Sequence, residues 1–231
     1  MKKITENTLL GDIVANFPGA GDYFIKRQID FCCGGDRPLA EGIKESGYDK
    51  ETLLTEINAL YKEFINDEKK YVNWAKEDKD KLIDHIMKAH HQFLREELPA
   101  LSGLIFKLLG VHGENHEELF ELHKLFAGLK AELESHLVKE ETWLFPAVKK
   151  LEKCQNEEER NELLSLIEVL EDEHDTAGDA LKKLREITNH YMPPADGCPT
   201  YKMTFDRLRA FEKNMFEHVH LENNVMFKEY A

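Results

Sequence analysis

Two stretches, HLVKEETWLF at residues 136–145 and HVHLENNVMF at residues 218–227, share one pattern of spacing. Each begins with a His, has a Glu four residues later and ends in a Phe nine residues after the His. Residues four apart lie on the same face of an α-helix, so each stretch predicts a His–Glu pair on one side of its helix. A single pair of this kind is common on exposed helices. Two copies with the same apolar ending favour a metal site at which both pairs converge.

Four long helices are predicted to carry this site. Apolar residues recur at steps of three and four over about residues 82–111, 116–145, 157–188 and 201–227. Pro99 predicts a kink in the first of these helices, and Pro146 predicts the end of the second. No stretch alternates with the two-residue period of a strand. The predicted fold class is therefore all-α, with an up-down-up-down four-helix bundle at residues 81–231.

Gly and Pro are concentrated in the first 50 residues, where they separate short helical pieces. Short helices are predicted at about residues 9–17, 22–28, 38–45 and 50–65. The charge-rich residues 66–80 are interpreted as a linker in which Trp74 is the one anchor. The predicted domains are therefore a small helical domain at residues 1–65, which contains a Cys-Cys-Gly-Gly motif, the linker, and the bundle.

Composition argues against several classes of function. The chain has 231 residues and a formal net charge of −14, whereas binding to nucleic acid or to an anionic membrane needs a basic face. No run of about 20 apolar residues predicts a membrane-spanning helix, and no apolar segment near the N-terminus predicts a signal peptide. Four Cys are too few for a disulfide scaffold. The expected location is therefore the reducing cytoplasm.

Histidines on the other predicted helices extend the donor set of the repeated pairs. His91, His112 and His174 are the candidates. Four or five His with two Glu exceed the ligands of one tetrahedral zinc and match a dinuclear site with bridging carboxylates. Imidazole and carboxylate donors suit iron or manganese, although donor type alone does not exclude zinc.

The motifs resemble those of the RIC family, the repair-of-iron-centres proteins of the ScdA type, which carry a hemerythrin-like domain. The N-terminal match is DFCCGG at residues 30–35, and the matches in the bundle include residues 136–141, 173–175 and 218–224. The resemblance covers roughly residues 8–228. Neither the Cys-Cys-Gly-Gly element nor the bundle alone would indicate this family, but the combination does.

The resemblance implies a non-haem site of two iron ions that are bridged by carboxylates and by an oxo group. The implied ligands are His91, His112, His136, Glu140, His174, His218 and Glu222. Glu140 and Glu222 would be the bridges. The apolar face of the first helix is centred nearer His90, but the resemblance selects His91. Glu141 and Asp175 are candidates for orienting a ligand imidazole.

Cys32 and Cys33 have two interpretations. Either they are partly buried structural thiols, or they act in docking or thiol transfer. In the second case Gly34 and Gly35 would let a partner protein or an iron–sulfur cluster approach the sulfur atoms. A helix beginning just after Gly35 would also lower the thiol pKa.

The resemblance implies a function in stress response: the repair of iron–sulfur clusters damaged by nitric oxide or oxidants, by supplying iron. The partners would be damaged iron–sulfur proteins, and the chain would be an iron-donating repair protein rather than a conventional enzyme. Two alternatives stay open. One is a di-iron protein that binds, senses or reduces nitric oxide or oxygen, and the other is a structural zinc bundle. The sequence also leaves open whether the chain forms a homodimer.

Overall fold

The computed structural model describes residues 3–66, 72–151 and 157–230 of the chain. These residues form α1 (Leu10–Asn16), α2 (Gly19–Ile25), α3 (Leu39–Ser46), α4 (Lys50–Asn66), α5 (Lys79–Ile86), α6 (Gln92–His112), α7 (Glu118–Lys139), α8 (Phe145–Leu151), α9 (Glu157–Ile187) and α10 (Pro199–Leu221). Three π-helical turns also occur, at Met87–His91, Glu140–Leu144 and Glu222–Met226. The described residues contain no strand beyond one antiparallel bridge between Leu9 and Pro38. The predicted all-α fold class is confirmed.

Two compact units make up the chain: Met1–Leu82 with Phe216–Ala231, and Ile83–Met215. The residues from Phe216 onward therefore group with the N-terminal residues, which differs from the division predicted above. Within the predicted linker, residues 67–71 lie outside the described part of the chain. Trp74 is half-buried and begins a short 3₁₀ turn, Trp74–Lys76. No helix in the described ranges has both the length and the apolar composition needed to cross a bilayer.

The unit Ile83–Met215 is an antiparallel helical bundle, and the contacts of α6 with α7 establish the direction of this pair. His91, just before α6, contacts Glu141, just after α7. At the other end of the pair, the rings of Phe106 and His123 are 5.9 Å apart. The beginning of α6 therefore lies beside the end of α7.

The other long helices of this unit are also antiparallel to the helices that they contact. On α7 and α9, His136 pairs with Glu173 and Glu121 pairs with Lys183. On α6 and α10, Glu97 pairs with Arg207, and the last residue of α6 contacts Cys198, which precedes α10. Each helix thus runs opposite to its partner, as the up-down-up-down prediction requires.

The apolar stripe of α6 is buried as its periodicity predicts. Its residues with at most 1% exposure are Leu94, Leu98, Leu101, Ile105 and Leu108. These positions recur at steps of three and four, which places them on one face of the helix. Burial of each Leu or Ile side chain contributes roughly 1.5–3 kcal/mol to the folded state. This stripe therefore accounts for a large part of the stability of the bundle around α6.

Pro146 does not end a helix, which contradicts its prediction, whereas Pro99 lies inside α6 and the helix continues to His112. Pro146 is the second residue of α8, which follows the π-helical turn Glu140–Leu144. The first turn of a helix tolerates proline, because its backbone N–H groups have no partner within that helix. The same preference explains why α2 begins at Gly19, directly after Pro18, rather than near residue 22.

In the other unit, Asn224 joins the last residues of the chain to the Cys-Cys-Gly-Gly loop. Its Nδ2 donates hydrogen bonds to the carbonyl oxygens of Cys32, at 2.8 Å, and Phe31, at 3.3 Å. The Asn224 side chain also fills the space beside two glycines. A Cβ atom would lie 2.0 Å from Asn224 Oδ1 if added at Gly35, and 2.1 Å if added at Gly11. Glycine is therefore required at both positions by this close approach.

Replacing Gly35 with Ala is expected to lower the free energy of unfolding by about 1–3 kcal/mol, because the added methyl group overlaps Asn224. The same substitution should cost much less in an Asn224→Ala background, where the overlapping side chain is removed. Thermal unfolding followed by circular dichroism, at matched metal content, measures the four proteins of this cycle.

Gly103→Ala on α6 is the matched control, since nothing lies within 4 Å of a Cβ added there. This substitution should raise stability by about 0.5–1 kcal/mol, because Ala is the better helix former. An equal cost of G35A in both backgrounds would show that Asn224 is not the cause.

Candidate metal centre

Four buried side chains converge inside the unit Ile83–Met215. They are His91, His136, Glu140 and His174, and each is at most 3% exposed. Ligand atoms of His136, Glu140 and His174 all lie within 4.8 Å of one another. Each residue comes from a different part of the bundle: His91 from the turn before α6, His136 from α7, Glu140 from the turn after α7, and His174 from α9. We name these four residues the imidazole–carboxylate cluster.

The two carboxylate oxygens of Glu140 face different imidazoles. Oε2 lies 3.2 Å from His91 Nε2. Oε1 lies 2.9 Å from His136 Nε2 and 3.8 Å from His174 Nε2. A carboxylate held in this way can offer one oxygen to each of two metal ions, as a bridging ligand does.

Burial by itself would raise the pKa of Glu140. The charge and hydrogen bonds of His136, with the hydrogen bonds of His174 and His91, outweigh burial and hold the pKa of this carboxyl well below its usual range. Glu140 is thus kept in the ionised form that metal ligation requires. The imidazole nitrogens that face it, His136 Nε2 and His174 Nε2, are 3.0 Å apart.

A carboxylate and a cation hold His91 from its other ring nitrogen. His91 Nδ1 lies 2.7 Å from Glu141 Oε1, and Arg95 donates to Glu141 Oε2 at 2.7 Å. Because Nδ1–H donates to this carboxylate, Nε2 is the ring nitrogen that faces Glu140 and that can ligate a metal. Glu141 therefore occupies the orienting position that the sequence predicts for it.

An equivalent arrangement holds His136. His136 Nδ1 lies 2.8 Å from Glu173 Oε2, and Lys139 forms an ion pair with the same carboxylate. Asp175, the second residue predicted for this task, is exposed. Glu173 was missed because it is one of several acidic residues around His174, and only the packing of α7 against α9 selects it.

A π-helical turn explains why the spacing of apolar residues along the first helix favoured His90 over His91 as the buried histidine. The turn Met87–His91 accommodates one residue more than an α-helical turn. His91 therefore follows Ile86 by five residues on the core face, while Leu94 and Leu98 continue that face. His90 is also buried, and its Nδ1 lies 3.2 Å from Asn214 Oδ1. The apolar face of the first helix is therefore displaced by one residue at this turn.

The second copy of the repeated motif has the same local geometry in the other unit. His218 Nε2 lies 3.4 Å from Glu222 Oε1, and both side chains are fully buried. Glu222 begins the π-helical turn Glu222–Met226, just as Glu140 begins Glu140–Leu144. The apolar ending of each motif is thus reached through a π-helical turn, which the spacing alone does not reveal.

His112 does not belong to the imidazole–carboxylate cluster, contrary to its implied role as an iron ligand. It is the last residue of the 21-residue helix α6, whereas His91 immediately precedes that helix. A helix of this length rises about 30 Å, so the two imidazoles lie at opposite ends of it. His112 Nε2 instead lies 3.3 Å from Cys198 Sγ. We therefore leave His112 out of the ligand set.

The expectation of a lowered thiol pKa is wrong for Cys32. The hydrogen bond to Cys33, burial and the charge of Asp30 raise the pKa of the Cys32 thiol well above its ordinary value. Its Sγ lies 3.3 Å from Asp30 Oδ1, and the side chain is only 2% exposed. The next helix, α3, begins at Leu39 and not just after Gly35. Cys33 is half-buried and is the more accessible thiol of the two.

The cluster is chemically suited to a transition metal. It places three imidazoles and one ionised carboxylate in a buried site, and these donors suit iron, manganese or zinc. A groove of about 470 Å³ opens beside it, lined by His136, His174, Glu173, Lys139 and the small or apolar residues Ala131, Leu133 and Ala177. The groove offers a small molecule or ion a path to the His136 and His174 side of the cluster.

Two known domain families match the chain. The hemerythrin HHE cation binding domain matches residues 82–230, a range that contains every residue of the imidazole–carboxylate cluster together with His218 and Glu222. ScdA_N, described as a domain of unknown function, matches residues 6–61. The chain thus carries a cation-binding domain of the hemerythrin type after a separate N-terminal domain.

Relatives that match over nearly the full length carry a shared name. The chain is 35% identical over 228 residues to the iron–sulfur cluster repair protein ScdA of Staphylococcus haemolyticus, covering 99% of this chain and 100% of that protein. It is 32% identical over 228 residues to ScdA of Staphylococcus epidermidis, at 97% and 98% coverage. It is 32% identical over 218 residues to the iron–sulfur cluster repair protein YtfE of Escherichia coli, at 94% of each chain. The chain therefore belongs to the hemerythrin HHE cation-binding family and, within it, to the ScdA and YtfE group of iron–sulfur cluster repair proteins.

Proposed function

We propose that this protein repairs damaged iron–sulfur clusters by supplying iron from a dinuclear site in its hemerythrin-type domain. The names of its relatives support the repair role. The observation that carries the dinuclear site is the position of Glu140, whose two oxygens face imidazoles on opposite sides. A mononuclear structural site has no need for a carboxylate placed in this way.

The two oxygens of the Glu140 carboxylate divide the proposed ligands into two groups, one for each iron ion. His91 would hold one iron ion with Oε2 of Glu140, and His136 and His174 would hold the other with Oε1. His218 and Glu222 repeat the motif of His136 and Glu140, are equally buried, and begin the same type of turn. From the family resemblance we propose that His218 and Glu222 are also iron ligands, with Glu222 as the second bridge.

The residues around the ligands determine how firmly iron is held. Glu141 and Glu173 fix the direction of the Nε2 lone pairs of His91 and His136 and increase the basicity of both rings. In the proposed repair, iron held by these ligands is transferred to a damaged iron–sulfur cluster. An iron donor must retain metal in the absence of a client and release it to a damaged cluster, and such hydrogen bonds adjust this balance.

The groove beside His136 and His174 favours a second candidate function. Ala131, Leu133 and Ala177 give part of its lining an apolar surface, so an uncharged diatomic molecule could reach that side of the cluster. The alternative is therefore a di-iron protein that binds, senses or reduces nitric oxide or oxygen. A stable and reversible nitric oxide adduct of the reduced protein, or nitrous oxide in the headspace, would support this alternative.

Metal analysis of the purified protein is expected to give about two iron ions per chain. Glu140→Gln should lower the iron content by more than about half, because a neutral amide cannot replace the charged carboxylate bridge. Glu134→Gln in α7 is the matched control, because Glu134 is exposed and pairs with Lys130. One zinc ion per chain, or full iron content in E140Q, would contradict the dinuclear assignment.

Glu173→Gln is expected to weaken iron binding about 10- to 100-fold, because His136 loses the charged partner that orients it. Asp175→Asn is the control: it removes a nearby carboxylate that is exposed. Competition with a chromophoric chelator for ferrous iron measures both affinities. Equal affinities for the two variants would show that Glu173 does not orient a ligand.

The repair activity is tested with an iron–sulfur enzyme that nitric oxide has inactivated. The iron-loaded protein is expected to restore its activity faster than an equimolar amount of free ferrous iron, because bound iron is delivered at the damaged cluster. Iron-depleted protein should give no acceleration. Recovery no faster than with free ferrous iron would exclude the donor function.

The same assay tests the thiols. Because Cys33 is half-buried and Cys32 is fully enclosed with a raised pKa, Cys33→Ser should slow recovery more than Cys32→Ser. The iron content of both variants should remain that of the unmodified protein. If neither substitution changes the rate, docking or thiol transfer through these residues is excluded.

A further inference from the structure

A second cluster of reactive side chains lies at the end of the bundle where α6 finishes and α10 starts. Cys198 immediately precedes α10, and its Sγ lies 3.3 Å from Nε2 of His112, the last residue of α6. The thiol is half-buried, so a small molecule can reach it. We name Cys198 and His112 the thiol–imidazole pair. About 30 Å of helix separates it from His91.

Several interactions favour the thiolate form of Cys198. The largest is the hydrogen bond with His112, and the backbone N–H groups of Tyr201 and Thr200 also donate to Sγ. These amides belong to the first turn of α10, where the helix dipole further stabilises a negative charge. Together these contacts lower the pKa of Cys198 to about 7. An ordinary free thiol has a pKa of about 8.5.

The surroundings of the pair are polar and hold further titratable groups. His116 contacts Glu118 at 2.9 Å and Asp196 at 3.2 Å, and these carboxylates raise the pKa of His116. The ring of Tyr201 packs against both His112 and His116, with ring centres 5.4 and 5.6 Å apart. Burial and the neighbouring Glu118 carboxylate raise the pKa of the Tyr201 hydroxyl. The titratable groups around the pair therefore interact with one another.

The contrast with Cys32 shows that these features are particular to Cys198. Cys32 is 2% exposed and has a raised pKa, and it contacts another thiol and a carboxylate rather than an imidazole. A thiolate is the nucleophile in cysteine chemistry, so accessibility and thiolate content together determine reactivity. Cys198 combines a half-buried side chain with a lowered pKa, whereas Cys32 has neither.

We propose that Cys198 is a modification site that forms a mixed disulfide with a small disulfide of a low-molecular-weight thiol. The Cys198 thiol gives its proton to His112, and the thiolate attacks one sulfur of the small disulfide. The disulfide bond of the small molecule breaks as the new S–S bond to Cys198 forms. The leaving thiolate takes up the proton from His112. The small disulfide is the only oxidant, and it becomes one protein-bound half and one free thiol.

This modification changes the junction between α6 and α10. The mixed disulfide removes the negative charge that His112 and the first turn of α10 stabilise. It also places a new group next to His112, against which the ring of Tyr201 packs. The reaction needs no metal, so the proposal stands independently of the iron site.

The test uses the full-length, metal-loaded protein and hydroxyethyl disulfide, an uncharged small disulfide. The rate of mixed-disulfide formation is measured for each cysteine by peptide mass spectrometry between pH 5.5 and 9.5. The rate at Cys198 should rise with a midpoint near pH 7. Cys198→Ser should remove this adduct and leave the others. A midpoint at or above about pH 8.5 for Cys198 would overturn the proposal.

The His112→Gln variant tests whether the His112 imidazole lowers the pKa of Cys198 or has only a structural role. Without the hydrogen bond from His112, the midpoint of the rate at Cys198 should move toward pH 8.5. At pH 6.5 the thiolate fraction then falls about 25-fold, and the greater nucleophilicity of the more basic thiolate recovers about fivefold. The net result is a rate at Cys198 about fivefold lower.

His123→Gln is the matched control, because this imidazole contacts Phe106 and not Cys198. It should leave the Cys198 profile unchanged. A midpoint in H112Q equal to that of the unsubstituted protein would show that His112 has only a structural role and would overturn the pair. If H112Q does not fold, the midpoint of the unsubstituted protein decides the proposal alone.

Discussion

The structure of the bundle depends on one buried charge, the carboxylate of Glu140. Glu140 is fully enclosed, and an isolated carboxylate in such a position would cost several kcal/mol relative to water. The imidazoles on both sides of it offset this cost only when they carry positive charge or hold a cation between them and Glu140. A metal ion held by these imidazoles would supply that positive charge, so metal binding would stabilise the folded domain.

The π-helical turns show how the helices satisfy this constraint. Glu140 and Glu222 each begin such a turn, and His91 ends one. Single π-helical turns within α-helices are rare and frequently lie at functional sites. At these positions the extra residue directs a polar ligand into the core while the apolar residues on either side stay buried. The repeated motif is thus a repeat of backbone geometry as well as of residue types.

Periodicity and motif spacing could predict the long helices and the pairing of His136 with Glu140, because both depend on residues close in sequence. They could not predict Glu173, since that choice depends on how α7 crosses α9. His112 was included through the family resemblance, although the helix predicted at about residues 82–111 already separates it from His91. Gly35 was expected to leave room for a partner, but the space is filled by Asn224, which is 189 positions away in the chain. The errors at Glu173 and Gly35 each concern a contact between distant segments, where sequence pattern carries the least information.

The residues that orient the ligand imidazoles differ from the ligands in their exposure. Glu141 and Arg95 have side chains that are 22% and 51% exposed, and Glu173 and Lys139 are 32% and 29% exposed. Water and salt can therefore compete for these carboxylates, although neither reaches Glu140. When Glu141 or Glu173 turns toward solvent, its imidazole loses its orientation and binds metal less tightly. A client protein that binds beside Arg95 or Lys139 and draws the carboxylate away would weaken iron binding without entering the core. This arrangement reconciles a buried, well-formed metal site with the release that an iron donor requires.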